Sequence, residues 1–170
     1  MTVYYAGVDP GLSGAVAVLR VTDGAQRPTL EGVWALPVYH KVVSGKERRR
    51  YDLAKVLQLA QAVAIYEPRA CAIEDVHGRG GQVGSSAMGF GVGMLNMAFE
   101  AAKVPVHLVG AATWKAALRC PASKPRAARL AGTMIFGTEG KFAGPKGGLL
   151  DGHAEAALLA YYAWTRFGRG

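Results

Sequence analysis

The sequence has few of the features that mark membrane proteins or secreted, disulfide-rich proteins. No apolar run approaches the length of a membrane span, and no basic segment followed by a hydrophobic stretch opens the chain. The two cysteines, Cys71 and Cys120, belong to no CxxC motif and to no Cys/His spacing typical of a zinc site. We therefore expect reduced, buried thiols, no structural zinc, no membrane partner and a cytoplasmic or equivalent location, such as an organelle matrix.

Acidic residues are also scarce, since 12 Asp and Glu stand against 20 Lys and Arg and give a formal net charge of +8. Such an excess attracts polyanions, either nucleic acid or an anionic membrane surface. The sequence shows no internal repeat or low-complexity tract, and 51% of its 170 residues are hydrophobic, which excludes a disordered chain. We predict a single domain over residues 1–170.

The first third of the chain is predicted to begin with three strands. Hydrophobic patterns over 2–9, 13–21 and 28–36 are separated by turn signals at Asp9-Pro10-Gly11 and Asp23-Gly24. The short connections favour an antiparallel meander. A dense basic cluster of lysine and arginine follows at residues 46–50 and is interpreted as a DNA-backbone patch, or otherwise as a solvated loop.

The rest of the chain alternates helices and strands. The predicted elements are a helix over 53–64 capped by Asp52, a strand over 70–75, a helix over 92–103, a strand over 104–109, and helices over 113–118, 124–136 and 151–167. This order predicts an α/β fold with an RNase H-like mixed five-stranded sheet, in which the meander is joined by two parallel strands and flanked by helices. Other α/β domains share parts of the same order.

Carboxylates stand at the ends of these elements. Asp9 ends the first strand, Glu74 and Asp75 end the fourth, and Asp151 and Glu155 are the acids of the final helix. The spacing of four in the helix places Asp151 and Glu155 on one face, about 5–6 Å apart at Cβ, where a divalent cation would offset their repulsion. Two Mg²⁺ ions held by such acids can clamp the attacking water and the leaving oxygen of a phosphodiester, and Mn²⁺ is an expected substitute.

Each acid also has a structural explanation. Asp9 could form the turn, Glu74 and Asp75 could be a solvated strand end, Asp151 could cap the helix and Glu155 could face water. These explanations do not account for acids clustering at the ends of elements that the predicted topology brings together. Strand alternation leaves open whether Glu74 or Asp75 points towards Asp9. The role of His153, on a different side of the helix from Asp151, also stays open.

Three segments resemble motifs of RuvC-like Holliday junction resolvases, which belong to the RNase H-like superfamily. Residues 7–14 (GVDPGLSG) resemble their opening strand and turn, residues 72–76 (AIEDV) their second acidic strand, and residues 151–156 (DGHAEA) their closing motif. Residues 113–115 (TWK) fit a segment that follows the last strand in phage-type and organellar members. The resemblance runs from Asp9 to the last helix. The first motif alone also occurs in kinases of the actin type.

The resemblance implies a metal-dependent endonuclease that resolves four-way DNA junctions by paired nicks from a homodimer. It assigns metal binding and catalysis to Asp9, Glu74, Asp151 and Glu155, with two Mg²⁺ ions per site. The alternatives are a related nuclease acting on structured RNA and a catalytically silent junction-binding module. An actin-type phosphotransferase would need a second Gly-rich loop for adenosine, which the sequence does not contain.

Several residues outside the acidic set are candidates for DNA contact. Lys115 and Lys124 match positions at which such enzymes carry a basic residue near the backbone or scissile phosphate, although either could be a solvated helix lysine. The further candidates are Arg48, Arg49, Arg50, His77, Arg79, Ser85 and Ser86. His77 stands where bacterial members often have an aromatic residue, and the acid spacing of four replaces their three, so we expect a phage-type or organellar member.

Two kinds of small or aromatic residue have structural interpretations. Gly89 and Gly93, four residues apart, are interpreted as the seat of a dimer partner, with packing on the sheet as the alternative. The three tryptophans, Trp34, Trp114 and Trp164, are interpreted as core or interface residues.

Overall fold

The computed structural model describes residues 1–76 and 85–168, without the side chains of residues 85–88. In chain order the elements are β1 (Thr2–Val8), β2 (Ala15–Thr22), β3 (Thr29–Ala35), β4 (Val38–Val43), β5 (Lys46–Tyr51), α1 (Leu53–Ala64), β6 (Ala70–Asp75), α2 (Ser85–Ala101), β7 (Val106–Gly110), α3 (Ala111–Ala117), α4 (Lys124–Met134) and α5 (Asp151–Phe167).

A mixed five-stranded sheet with the order β3-β2-β1-β6-β7 forms the centre of the fold. The β1, β2 and β3 strands pair antiparallel as a meander, and β6 pairs parallel with both β1 and β7. The predicted RNase H-like sheet is therefore confirmed. Parallel pairing needs a crossover, and the helical connections between these strands provide it.

Helices cover both faces of the sheet. On one face, side chains of α1 and α2 such as Val56 and Phe99 pack on Val8 and Ile73 of the sheet. On the other face, α3, α4 and α5 pack on the alternate strand residues, including Tyr5 and Ala72. Successive side chains of a strand point to opposite faces, so β1 and β6 each contribute to both cores. Among the described residues, no helix is long and apolar enough to cross a membrane.

The α5 helix lies very close to β1. A Cβ atom added at Gly7 would overlap the backbone of Ala156 and Ala160 in α5. Glycine is needed there because no side chain fits between the strand and the helix. This contact determines where α5 crosses the sheet, and with it the position of Asp151 and Glu155 near the start of the helix.

The basic cluster at residues 46–50 lies in a strand, an element that the sequence patterns did not predict. It forms β5, which pairs antiparallel with β4 in a separate two-stranded sheet. The connecting residues Ser44 and Gly45 both have positive φ, 50° and 72°, as a tight hairpin turn requires. Both strands are largely exposed, so no buried face produced the alternation by which strands are recognised.

The α2 helix begins at Ser85, well before the predicted start at residue 92. Glycines at 89, 91 and 93 lowered the helical propensity of this segment, but tertiary packing stabilises it. A Cβ at Gly91 would lie 3.0 Å from the Tyr51 hydroxyl, so the hairpin packs against the helix there. The expectation of buried thiols is right for Cys71 and wrong for Cys120, which is only partly buried, and both are free.

Candidate active site

The predicted acids meet at one edge of the central sheet. Asp9 directly follows β1 and Glu74 lies near the end of β6, and these two strands run parallel as neighbours. The first two turns of α5, which carry Asp151 and Glu155, pack beside them. A Cβ atom at Gly152 would lie 2.9 Å from Asp9 Oδ2, which shows how closely the helix approaches the turn after β1.

The structure selects Glu74 over Asp75 as the acid that faces Asp9. Ala72 points to the α5 side of the sheet, so Glu74, two residues further along β6, points to the same side and Asp75 to the opposite one. Asp9 follows Tyr5 by four residues, an even number, so both side chains point to the same face of the sheet, and Tyr5 packs on the α5 side. The choice that alternation alone left open is therefore decided by which face α5 covers.

Asp9 is the acid whose proton affinity changes most. Burial raises its pKa to about 7 from 3.8, and the negative charges of Glu155, Glu74 and Asp151 add to the rise. A hydrogen bond of 3.2 Å from the Gly11 amide to Asp9 Oδ1 opposes the shift without cancelling it. The repulsion among four neighbouring carboxylates is the electrostatic condition that a bound cation would relieve.

Glu74 is held by Trp114, which the sequence analysis interpreted as a core or interface residue. Trp114 is completely buried, and its indole Nε1 donates a hydrogen bond of 2.7 Å to Glu74 Oε2. Burial raises the pKa of Glu74, while this hydrogen bond and the Lys115 charge lower it. A tryptophan next to a candidate phosphate-binding lysine in the motif TWK was the available signal, but nothing local indicated its partner 40 residues away.

The two candidate lysines contact the two acids of α5. Lys115 Nζ donates to Glu155 Oε1 at 3.0 Å and lies 5.0 Å from the centre of the Trp114 ring. Lys124 Nζ donates to Asp151 Oδ2, and this hydrogen bond lowers the pKa of Asp151. Both predicted lysines therefore lie at the acidic cluster, where each ammonium group neutralises a carboxylate.

The donor set suits a hard divalent cation by its chemistry. It consists of carboxylate oxygens only, which are the ligands that Mg²⁺ prefers in proteins. In the part of the chain that the structure describes, no three Asp, Glu, His or Cys side chains are arranged closely enough to form a ready-made metal site. Lys115 and Lys124 form ion pairs with two of the four carboxylates instead, so cation binding would require these lysine side chains to move.

The basic strand β5 lies beside this cluster. Arg49 Nη1 donates to Ser13 Oγ at 3.0 Å, and the Tyr51 hydroxyl donates to the Pro10 carbonyl oxygen in the turn that follows Asp9. Arg48, Arg49 and Arg50 are all exposed. The structure thus brings Arg49 to the turn that follows Asp9, with Arg48 and Arg50 beside it on the same strand, although the hairpin that carries them was not predicted.

The remaining predicted residues either lie away from the acids or belong to parts of the chain that the structure does not describe. His153 Nδ1 lies 3.2 Å from the Lys141 carbonyl oxygen and so contacts the loop before α5. His77 and Arg79 lie outside the described residues. Ser85 and Ser86 open α2, but their side chains are not among those described.

Comparison with known proteins links this arrangement to one fold. No family model and no curated protein sequence matches the chain. The structure of Thermus thermophilus RuvC matches with a TM-score of 0.62 and 20% identity over 99% of this chain and 97% of that one. The same enzyme in complex with a Holliday junction substrate matches equally well. A yeast mitochondrial Holliday junction resolvase matches with a TM-score of 0.53 and 15% identity over 95% of this chain and 77% of its own. The chain therefore has the fold of RuvC-type Holliday junction resolvases, as its sequence motifs predicted.

Proposed function

We propose that this protein is a structure-selective endonuclease that resolves four-way DNA junctions by metal-dependent hydrolysis. The observation that carries the proposal is the cluster of Asp9, Glu74, Asp151 and Glu155 at one edge of the sheet, with Lys115 and Lys124 in contact with it. The structural neighbours support the substrate class, since one was solved with a Holliday junction substrate and another is a Holliday junction resolvase.

Mg²⁺ is the proposed cofactor, held by the four carboxylates, with two ions per site and Mn²⁺ as a substitute. Bound there, the ions would activate a water molecule and offset charge on the scissile phosphate. Trp114 would keep the Glu74 carboxylate in position through its hydrogen bond. Lys115 and Lys124 would exchange their carboxylate partners for phosphate oxygens of the substrate, which preserves the charge balance of the site.

A homodimer is proposed because two symmetric cuts need two active sites related by a twofold axis. The exposed side of α2 offers a surface for it. Met97 in this helix is 73% exposed, and Gly89 and Gly93 have open space where a side chain would stand. A second copy of the helix could approach closely at these glycines and bury the methionine.

Light scattering after size-exclusion chromatography tests the dimer. Met97→Lys should shift the protein from dimer to monomer because two lysines would face each other across the twofold axis. Val42→Lys, at a similarly exposed position on the hairpin, should leave the mass unchanged. A wild-type protein that is monomeric at all working concentrations would contradict the proposal.

Cleavage of a labelled four-way DNA junction tests the activity. Paired, symmetric nicks should appear with Mg²⁺ and not with EDTA, and a linear duplex of the same sequence should stay intact. Asp9→Asn should abolish cleavage while junction binding survives. Asp23→Asn is the matched control, since Asp23 pairs with the terminal amino group after the far end of β2.

The other outcomes of this assay select the alternatives. Equal binding of RNA and DNA junctions with cleavage of RNA alone would identify an RNA-directed nuclease. Binding in EDTA without cleavage in Mg²⁺ or Mn²⁺ would identify a silent junction-binding module. Loss of both cleavage and binding in Asp9→Asn would show that Asp9 is a structural residue.

A further inference from the structure

A large cavity beside the acidic cluster has no role in the proposed hydrolysis. It has a volume of about 720 Å³ and lies between the β4–β5 hairpin, the turn after β1 and the start of α2. Most of its lining is apolar or aromatic, with Leu12, Tyr39, Leu53, Val76 and Phe90 among the lining residues. A volume of about 300–1,000 Å³ is typical of pockets for small ligands, so one nucleotide would fit.

The walls of the cavity continue from the chain segments that carry the acids. Pro10 and Gly11 follow Asp9 directly, and Val76 is two residues beyond Glu74. Tyr51 joins the parts of the wall, because its hydroxyl donates to the Pro10 carbonyl oxygen and its ring packs against Gly91 of α2. A group that enters this cavity is therefore next to the position at which the acidic cluster would act.

The lining has the chemistry that holds a nucleobase outside a duplex. Tyr39 is 45% exposed and Phe90 is 62% exposed, so both rings are accessible to a planar ligand. Arg49 and Arg50 also line the cavity, and Arg49 is anchored by its hydrogen bond to Ser13. Aromatic rings stack on bases of any sequence, and guanidinium groups bind the phosphates that accompany them.

We propose that this cavity binds one unpaired nucleobase of the DNA junction, from a nucleotide that flanks the phosphate to be cut. The proposal rests on the proposed function and extends it to a base-binding site. Charge complementarity favours a nucleic-acid occupant, since an apolar pocket rimmed by arginines suits a base with its phosphate better than a neutral ligand. Extrusion from a helix costs least for a base that is already unpaired, which favours a base at an opened branch point as the occupant.

Binding in EDTA measures the pocket without any need for cleavage. The probes are four-way DNA junctions in which each nucleotide near the branch point is replaced in turn by an abasic one. For the wild type, one replacement should weaken binding by about fivefold to a hundredfold, the effect of losing one stacked base. The Tyr39→Ala, Phe90→Ala double variant should bind the intact junction more weakly by a similar factor. In this variant the same abasic replacement should not weaken binding further.

Two control proteins separate stacking from damage to the fold. Tyr39→Phe with Phe90→Tyr keeps both rings and should retain the abasic penalty of the wild type. Leu108→Ala removes an exposed apolar side chain from the edge strand β7 and should bind like the wild type. Both aromatic positions are at the surface, so their alanine variants are expected to fold.

Two results would overturn the base-binding site. One is a wild type that binds every abasic junction as well as the intact one, and the other is an equal abasic penalty in the wild type and the alanine variant. Cleavage in Mg²⁺ is scored separately with the same junctions. If the protein cuts the junction but shows either of these results, the base-binding proposal is wrong and the nuclease proposal stands. If the abasic penalty depends on the two aromatic rings but the junction is not cut, the nuclease proposal is wrong.

Discussion

At the scale of single residues, Asp9 carries much of the electrostatic cost of the acidic cluster. Its pKa of about 7 in the folded protein compares with 3.8 for an ordinary aspartate. Between these values the unfolded chain has lost the proton and the folded protein retains it. Folding stability from this group is therefore greatest below pH 4 and is lost as the pH rises to about 7.

Asp9→Asn should consequently stabilise the metal-free protein at high pH. In EDTA at pH 8 we expect the free energy of unfolding to rise by a few kcal/mol, since each pKa unit corresponds to about 1.4 kcal/mol. The gain should be much smaller at pH 4, where Asp9 is protonated in the folded protein and close to half protonated in the unfolded chain. Urea unfolding at pH 4, 6 and 8 checks this, with Asp23→Asn as the exposed control. A gain that does not change with pH would mean that burial and repulsion are not its cause.

Trp114→Phe separates the hydrogen bond to Glu74 from the packing of the ring. Phenylalanine fills most of the same buried space but cannot donate to Glu74 Oε2. We expect the Mg²⁺ concentration for half-maximal cleavage to rise by about 10- to 100-fold, the usual effect of losing a group that orients a metal ligand. Trp114→Phe should lower the free energy of unfolding by about 1–2 kcal/mol. An alanine substitution at the same position should lower it far more.

A Mg²⁺ titration of the cleavage rate, with thermal unfolding in parallel, checks the Trp114 prediction. Trp164→Phe is the matched control, because Trp164 is a partly buried tryptophan of α5 that packs edge-on against Tyr161. An unchanged Mg²⁺ titration in Trp114→Phe would show that Trp114 serves the core alone.

At the scale of elements, the position of α5 on β1 determines where two of the four acids stand. The strand and helix touch at Gly7, where a Cβ atom would overlap the helix backbone. Backbone atoms cannot move aside as a flexible side chain can, so any larger residue must push the helix away from the sheet. That shift would move Asp151 and Glu155 relative to Asp9.

Gly7→Ala should therefore impair both folding and activity. We expect a loss of about 3 kcal/mol or more in the free energy of unfolding, at the upper end of the range for overpacked cores. Gly148→Ala is the matched control, since a Cβ at Gly148 meets no atom within 4 Å, and it should change stability by less than about 0.5 kcal/mol. Denaturant unfolding and the junction assay measure both effects. Equal stabilities of the two variants would contradict the close approach of α5.

At the scale of the whole molecule, the basic residues that give the net charge of +8 lie at different distances from the acidic cluster. The acidic cluster is bordered by the basic strand β5 and by the lysines of α3 and α4, whereas Arg166 lies in the last turn of α5. The rise of a helix is about 1.5 Å per residue, which places Arg166 roughly 22 Å along α5 from Asp151. A DNA backbone on the acidic edge should therefore contact the hairpin and not Arg166.

Arg48→Ala should lower the salt dependence of junction binding. The slope of log affinity against log salt concentration should fall by about 0.9, the value for one phosphate contact. Arg166→Ala removes the same charge and should leave the slope unchanged. Titrations in EDTA at several salt concentrations measure this without cleavage. Equal effects of the two variants would indicate a diffuse influence of net charge and no defined DNA path along β5.

Most strands of the central sheet and most helix bounds could be predicted from the sequence because their signals are local. Asp52 caps α1 through its side chain as expected, and α5 spans the predicted 151–167. Hydrophobic periodicity, caps and turn residues act over a few positions. The exposed hairpin and the Gly-rich start of α2 escaped prediction because packing, and not local preference, stabilises them.

The sequence by itself determined the fold class and the candidate acids, and the tertiary structure decided how they are arranged. Parallel pairing of β1 with β6 and the face covered by α5 select Glu74 over Asp75. The contacts of Trp114 with Glu74, Lys115 with Glu155 and Lys124 with Asp151 join residues 27 to 40 positions apart. Such contacts depend on how helices cross the sheet, which no local pattern encodes, because the free energy of packing is shared by the whole core.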